Sequence, residues 1–345
     1  LRLVFAFPGN LDLKTGGYGY DRRLIAELEA LGWQVDLLPL GDGFPHPDAA
    51  VLEAAEEALS ALRDDTLVMI DGLAFGVLDQ WAARQAGRLI VVALVHHPLA
   101  FETGLSQDRA EALQSSEAGA LSHARHVIVT SPETARALVA GYGVAEENIS
   151  IAAPGTDRPA SAAACNEVPH ILSIGALTPR KGHDVLVDAL KRVEDLSWTA
   201  TIVGSPSLDV DMAAKIARQI DDLGLGERIT LAGTVEDTGP FFAGADLFAL
   251  ASRYEGYGMV FAEALAHGLP IIACRAGAVP DVVPDTAGIL VPVDDGDAFA
   301  GALRSLICDA GLRRQKAEGA RQAGARLSGW AQTGRLVSDV LEQIR

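Results

Sequence analysis

Residues 247–273 read LFALASRYEGYGMVFAEALAHGLPIIA. The run 247–249 has the length and residue types of a buried strand, and 271–273 repeats it after a helical segment. Between them, Glu255-Gly256-Tyr257-Gly258 makes a glycine turn that leads into Met259-Val260-Phe261-Ala262-Glu263-Ala264. Strand, turn, helix and strand in succession is the unit from which parallel sheets are built. The same alternation continues in both directions. Further strands are expected at 171–174, 200–203 and 229–231, and toward the N-terminus at 3–7, 35–39, 67–70, 89–95 and 127–130, with helices such as 22–31 between them. The predicted fold class is α/β, with two doubly wound parallel-sheet domains. Residues 154–169 are rich in Ala, Pro and Ser, carry no apolar period, and sit where the alternation restarts, so they read as a linker. The expected division is 1–158 and 159–328, with 329–345 forming a last helix that returns to the first domain.

Composition narrows the function. The 345 residues are 49% hydrophobic and 21% charged, enough for two cores. A net charge of -18 and a pI near 4.8 repel phosphate backbones, which argues against nucleic acid as a partner. A polyanionic ligand would therefore need a local cationic site. Cys165, Cys274 and Cys308 lie far apart without metal-ligand or CxxC spacing, so no metal and no disulfide framework is expected, and a reducing cytoplasm fits. The run 89–95 is strand-length, far short of a membrane span. Arg2-Leu3-Val4-Phe5 already reads as a strand, and a signal peptide is not expected. Transient docking at the inner membrane face stays open, although the first domain has no lysine-rich run.

Open parallel sheets bind ligands at the carboxyl ends of their strands, and two such domains facing each other would make a cleft between a donor and an acceptor. Three groups of residues fall at strand ends. In the opening stretch, the main-chain N–H groups of Gly258, Met259 and Val260 at a helix start suit phosphate or sugar oxygens. Glu255 and Glu263 are carboxylates of the kind that accept from vicinal hydroxyls, one holding a sugar and the other a ribose diol. After the strand at 171–174 comes Gly175-Ala176-Leu177-Thr178-Pro179-Arg180-Lys181-Gly182-His183. There, Arg180 and Lys181 are suited to the charge that grows on a departing diphosphate. In the first domain, Gly16-Gly17-Tyr18-Gly19 reads as a glycine-rich loop before a helix, and His96-His97 ends the strand at 89–95. Neither a Walker A loop nor a dinucleotide fingerprint is present in that loop.

The stretch from Glu255 to Pro270 resembles glycosyltransferase family 4, whose E-x7-E element has the form E-G-x-G-x-x-x-x-E-A-x-A-x-G-x-P. Gly277 and Pro280 to Val282 also fit its pattern, and the resemblance runs from Ile171 to about Val293, more weakly over the first domain. It implies a GT-B fold of two Rossmann-like domains and retaining transfer of a hexosyl group from a UDP- or GDP-sugar to a glycan, lipid or small-molecule hydroxyl, without a metal or cofactor. By the same resemblance Glu255 contacts the donor sugar and Glu263 the ribose. Gly17 neighbours the diphosphate, and Gly204 and Val235 offer main-chain contacts to phosphate and nucleobase. His96 is the counterpart of an imidazole beside the anomeric carbon, with His97 as the alternative. Many members carry G-R-x4-K-G; here Ala176 stands at the arginine position, and Arg180 is the candidate replacement. The competing expectations are a nucleotide-sugar epimerase and a binding subunit without turnover. Oligomeric state is undecided by the sequence.

Overall fold

The computed structural model describes residues 1–85, 87–159 and 166–345. The chain divides into two compact units, Leu1–Gly155 with Gly329–Arg345, and Thr156–Ser328. The middle of the expected linker, residues 160–165 with Cys165, lies outside the described residues.

In the first unit, β1 (Arg2–Phe7), β2 (Gln34–Pro39), β3 (Leu67–Asp71), β4 (Ile90–Val95), β5 (His126–Val129) and β6 (Ile149–Ile151) form a parallel sheet in the order β2-β1-β3-β4-β5-β6. The two central strands, β3 and β4, are apolar up to the Asp71 that closes β3 and almost wholly buried, as expected when helices cover both faces. Edge strand β2 is more open, with Leu37 52% exposed. Order reverses between β1 and β3, so the segments leaving these strands diverge and their carboxyl ends border a crevice. The helix Gly16–Ala30 follows β1. Its face toward the sheet carries Tyr20, Leu24 and Leu28 at a four-residue spacing, together with Ile25 and, unusually for a buried face, Asp21. The helix Trp330–Ile344 packs along it: Trp33 Nε1 donates to Ser338 Oγ at 2.9 Å, Thr333 Oγ1 donates to the Ala153 carbonyl at 2.8 Å, and the Arg23 guanidinium lies over the Trp330 ring.

In the second unit, β7 (His170–Ile174), β8 (Thr199–Val203), β9 (Ile229–Gly233), β10 (Leu247–Leu250), β11 (Ile271–Cys274) and β12 (Gly288–Val291) form a parallel sheet in the order β12-β11-β10-β7-β8-β9. This is the dinucleotide-fold order, and its switch point lies between β7 and β10. Apolar side chains fill both faces: Trp198, Leu186 and Phe299 on one, Phe242, Phe248 and Phe261 on the other.

Two edge strands, β6 and β12, were not expected from the sequence. Each is only three or four residues long, and Ile149-Ser150-Ile151 lacks the apolar run that marks a central strand. The first-domain glycine segment also differs. Gly16 to Gly19 form the opening turn of the helix Gly16–Ala30, not a loop, because the Thr15 side chain caps the helix by accepting from the Tyr18 N–H.

Candidate active site

The β7/β10 switch point brings the two motifs of the second unit together. After β7 the chain runs through Gly175 into a tight turn at Pro179–Lys181, ending at Gly182 with φ +64°. A side chain at Gly182 would strike the carbonyl oxygen of Ala251, the residue after β10, so this glycine lets the cationic turn lie against the neighbouring strand end. Arg253 fastens it there. Its N–H donates to the Arg180 carbonyl at 2.7 Å, its guanidinium donates to the Pro179 carbonyl, and Asp184 receives it through both oxygens at 3.2 Å. Asp294 accepts from Nε of the same guanidinium at 2.8 Å. Arg253 lay outside the sequence reading; its only signal there is an arginine two positions before Glu255.

On this platform Glu255, 4% exposed, meets both predicted cations. Lys181 Nζ stands 2.6 Å from Oε1 and Arg180 3.4 Å from Oε2, and Ser252 Oγ donates to Oε1 at 2.6 Å. Arg180 also donates to the Tyr254 carbonyl at 3.0 Å. Burial alone would raise the Glu255 pKa, but Lys181, Arg180 and the Ser252 hydroxyl outweigh it and draw it down to about 2. The group is an ionised acceptor at neutral pH. Sequence reasoning assigned carboxylate and cations to different parts of a ligand; the structure joins them in one cluster.

The helix Met259–Ala266 begins from Gly258, which has φ +87°, and its first N–H groups, those of Met259 and Val260, precede the hydrogen-bonding ladder. Glu263 sits one turn further on, half-buried, with its pKa raised to about 7 by burial and by Asp157. Gly204 has a packing explanation: a side chain there would overlap the Gly175 carbonyl, and its N–H is already given to the Gly233 carbonyl at 2.9 Å. Val235 is half-buried against the Phe242 side of the core. His183, the last residue of the β7 motif, is buried, hydrogen-bonded to the Gly175 carbonyl at 3.0 Å, and kept neutral, its pKa lowered by burial to about 4.

The first unit carries a separate centre. His96, at the end of β4, has Nε2 3.1 Å from Asp21 Oδ1 and 3.5 Å from Asp71 Oδ2. Gly17 lies directly beside the imidazole, where a side chain would come within 3.4 Å of Cδ2. His97 turns elsewhere, toward Glu102 at 3.5 Å. Asp71 ends β3 and also caps the turn that follows, accepting from the Leu73 N–H at 2.7 Å. Asp21, Asp71 and His96 are, among the described residues, the one set of three carboxylate, imidazole or thiol groups whose polar atoms all lie within 4.8 Å of one another. Neither aspartate was singled out from the sequence, although Asp71-Gly72 closes an apolar strand in the way that marks a strand-end site.

Residues 168–309, which contain both second-unit motifs, match the family described as Glycosyl transferases group 1. The D-inositol 3-phosphate glycosyltransferase of Corynebacterium kroppenstedtii is 30% identical over 286 residues, covering 76% of this chain and 63% of that protein. The lipopolysaccharide core biosynthesis glycosyltransferase LpsE of Rhizobium meliloti is 30% identical over 154 residues, covering 44% of this chain and 43% of that protein. The chain thus spans about half the length of the curated relatives it matches. Among solved structures, sucrose-phosphate synthase from Thermosynechococcus elongatus superposes with a TM-score of 0.84 at 22% identity, over 99% of both chains. Anabaena HepE in complex with UDP-glucose gives 0.79 at 18% identity, again over 99% of both. These likenesses establish the fold class: α/β, with two Rossmann-like parallel sheets of the GT-B type. Among the described residues no helix is long and apolar enough to cross a membrane.

Proposed function

We propose that the protein is a retaining, family 4-type glycosyltransferase that moves a hexosyl group from a UDP- or GDP-sugar to the hydroxyl of a glycan, lipid or small molecule. The observation that carries this reading is the Lys181–Glu255–Arg180 cluster at the β7/β10 switch point, beside the start of the helix Met259–Ala266. Diphosphate oxygens entering this place would draw Lys181 and Arg180 from Glu255, freeing the carboxylate to accept from sugar hydroxyls. The exchange has a catalytic sense. As the bond between the anomeric carbon and the diphosphate breaks, negative charge grows on the leaving oxygen, and both cations stabilise that state more than the ground state.

In the same-face route the acceptor oxygen bonds to the anomeric carbon on the side the diphosphate leaves, and the acceptor's proton passes to the departing phosphate oxygen. No carboxylate nucleophile and no metal is required. Glu263 holds the ribose diol, and Met259 and Val260 donate main-chain N–H groups to the phosphates. His96 enters through the resemblance, as the imidazole beside the reacting sugar. The names of the relatives, one acting in lipopolysaccharide core synthesis and one on an inositol phosphate, favour a carbohydrate or polyol acceptor. The cysteine pattern favours a cytoplasmic enzyme.

Calorimetry with UDP, GDP and their common sugars, in EDTA, tests the reading. One nucleotide family should bind and should lose at least tenfold in affinity with Glu263→Ala. Absence of binding by every nucleotide would remove the donor site and the activity with it.

A further inference from the structure

Asp21 is placed against the usual rule for a buried helix face. Its neighbours on that face are Tyr20, Leu24, Ile25 and Leu28, and it is fully buried. An apolar residue there would pack without the desolvation cost of a carboxylate, so its presence calls for a partner. That partner is His96: Oδ1 lies 3.1 Å from Nε2, while Oδ2 is buried and has no hydrogen-bond partner among the described residues. Asp71 brings a second carboxylate oxygen to the same nitrogen at 3.5 Å. Two carboxylate acceptors on one ring nitrogen require that nitrogen to carry a proton, and two negative charges 3.1 and 3.5 Å away favour the doubly protonated, cationic ring over the neutral one.

We propose that Asp21 and Asp71 are positioning residues for His96, pinning its Nε2 edge inward and holding the ring as an imidazolium, so that His96 serves as a fixed cation and not as a base. Burial by itself would lower the His96 pKa; the two aspartates reverse this and raise it, and burial with the Asp71 charge raises that of Asp21, so Asp21 and His96 titrate as a coupled pair. The other groups around the ring do not supply the charge. From the same helix, Tyr18 is pushed up to about 12 by burial and by Asp71, Asp21 and Asp42, and stays neutral. Tyr20 sets its ring edge-on to His96 at 5.3 Å but gives its hydroxyl to the Ala152 carbonyl at 2.9 Å. From the end of β5, Thr130 Oγ1 donates to the His96 carbonyl at 3.1 Å, which fixes the backbone. Arg22 is occupied by the Leu11 and Leu13 carbonyls.

The functional consequence rests on the glycosyltransferase reading: a ring that is cationic throughout the neutral range stabilises developing negative charge and leaves the acceptor's proton to the phosphate. The charge state itself is tested without turnover. In the full-length protein labelled with 15N-histidine, the His96 signals are assigned by their loss in His96→Gln. They should be those of an imidazolium at pH 8 in the wild type. In Asp21→Asn the titration midpoint should fall by at least one pH unit, while nucleotide affinity stays within twofold. Should Asp21→Asn not fold, Asp71→Asn is read the same way. A neutral His96 at pH 8 in the wild type, an unmoved midpoint in the variant, or signals shifted by EDTA would overturn the proposal. In turnover, Asp21→Asn should acquire an activity limb that falls above pH 7, losing tenfold or more by pH 8.5, with partial rescue by Asp21→Glu; a profile parallel to wild type would equally overturn it. Failure of the transfer reading is seen separately, as absent nucleotide binding in the wild type.

Discussion

Two carboxyl groups outside the Glu255 cluster, half-buried Glu263 and buried Glu117, make pH-dependent predictions at the residue scale. Glu263, raised to about 7, is a better hydroxyl acceptor when ionised. Nucleotide affinity should therefore rise as pH increases from 6 to 8, and Glu263→Gln should flatten the dependence in calorimetry. Glu117, on the helix Gln107–Leu121, is raised to about 8 by burial, even though the Leu99 N–H donates to it at 2.9 Å and favours the charged form. The native state holds this proton over a range in which the unfolded chain has released it, from about 4.3 upward. Unfolding free energy then falls as pH rises toward 8. Glu117→Gln has no proton to lose. Its melting temperature should match the wild type near pH 5 and exceed it by a few degrees at pH 8.5; a constant offset across pH would exclude the mechanism.

At the scale of elements, the cationic turn after β7 is held by residues that touch no ligand in the proposed reaction. Arg253→Ala removes the guanidinium donor to the Pro179 carbonyl and leaves Asp184 without its bidentate partner, while the main-chain bond to the Arg180 carbonyl stays. The expected result is at least a tenfold loss of affinity for nucleoside diphosphates with little change for the monophosphate, since the leaving oxygen that Lys181 and Arg180 are proposed to meet belongs to the phosphate farther from the ribose. Equal losses for both would show a general disturbance. Gly182→Ala forces a left-handed residue at a backbone cost of about 1–2 kcal/mol, and it also pushes the Ala251 carbonyl away, so it should lower both the melting temperature and diphosphate affinity. These elements also show what the sequence could tell. Continuous apolar runs such as 67–70 and 247–249 made the central strands legible, and the strand–turn–helix pattern around Glu255 located its site. Short β6 and β12 have too few residues for a period to register. The Arg253 clamp and the Asp21–Asp71–His96 centre join residues far apart in the chain, and nothing local in either partner announces the other. Asp21 does break the apolar helix face, a signal visible once the helix is known to begin at Gly16.

At the scale of the whole molecule, the two units differ in how the chain builds them. Thr156–Ser328 is continuous, whereas the first unit joins Leu1–Gly155 to Gly329–Arg345. The isolated segment 156–328 should therefore fold and bind the same nucleotide family as the full chain, checked by calorimetry on the fragment. Removing 329–345 withdraws Trp330, Val337 and Leu341, all buried, from the first unit. Each such side chain contributes about 1.5–3 kcal/mol through burial. Scanning calorimetry of the truncated chain should show a lowered transition for the first unit while the nucleotide-stabilised transition of the second stays in place.

The return of the helix Trp330–Ile344 to the first unit also bears on synthesis. On the ribosome, domains as a rule complete themselves in the order they emerge. Here the first unit cannot follow that rule: its sheet awaits its last helix until 329–345 has emerged, after all of 156–328. The backbone around Asp21 and His96, among the first to be made, is therefore among the last to be fully braced, and a nascent chain that has not yet released 329–345 leaves the partner face of the helix Gly16–Ala30 uncovered.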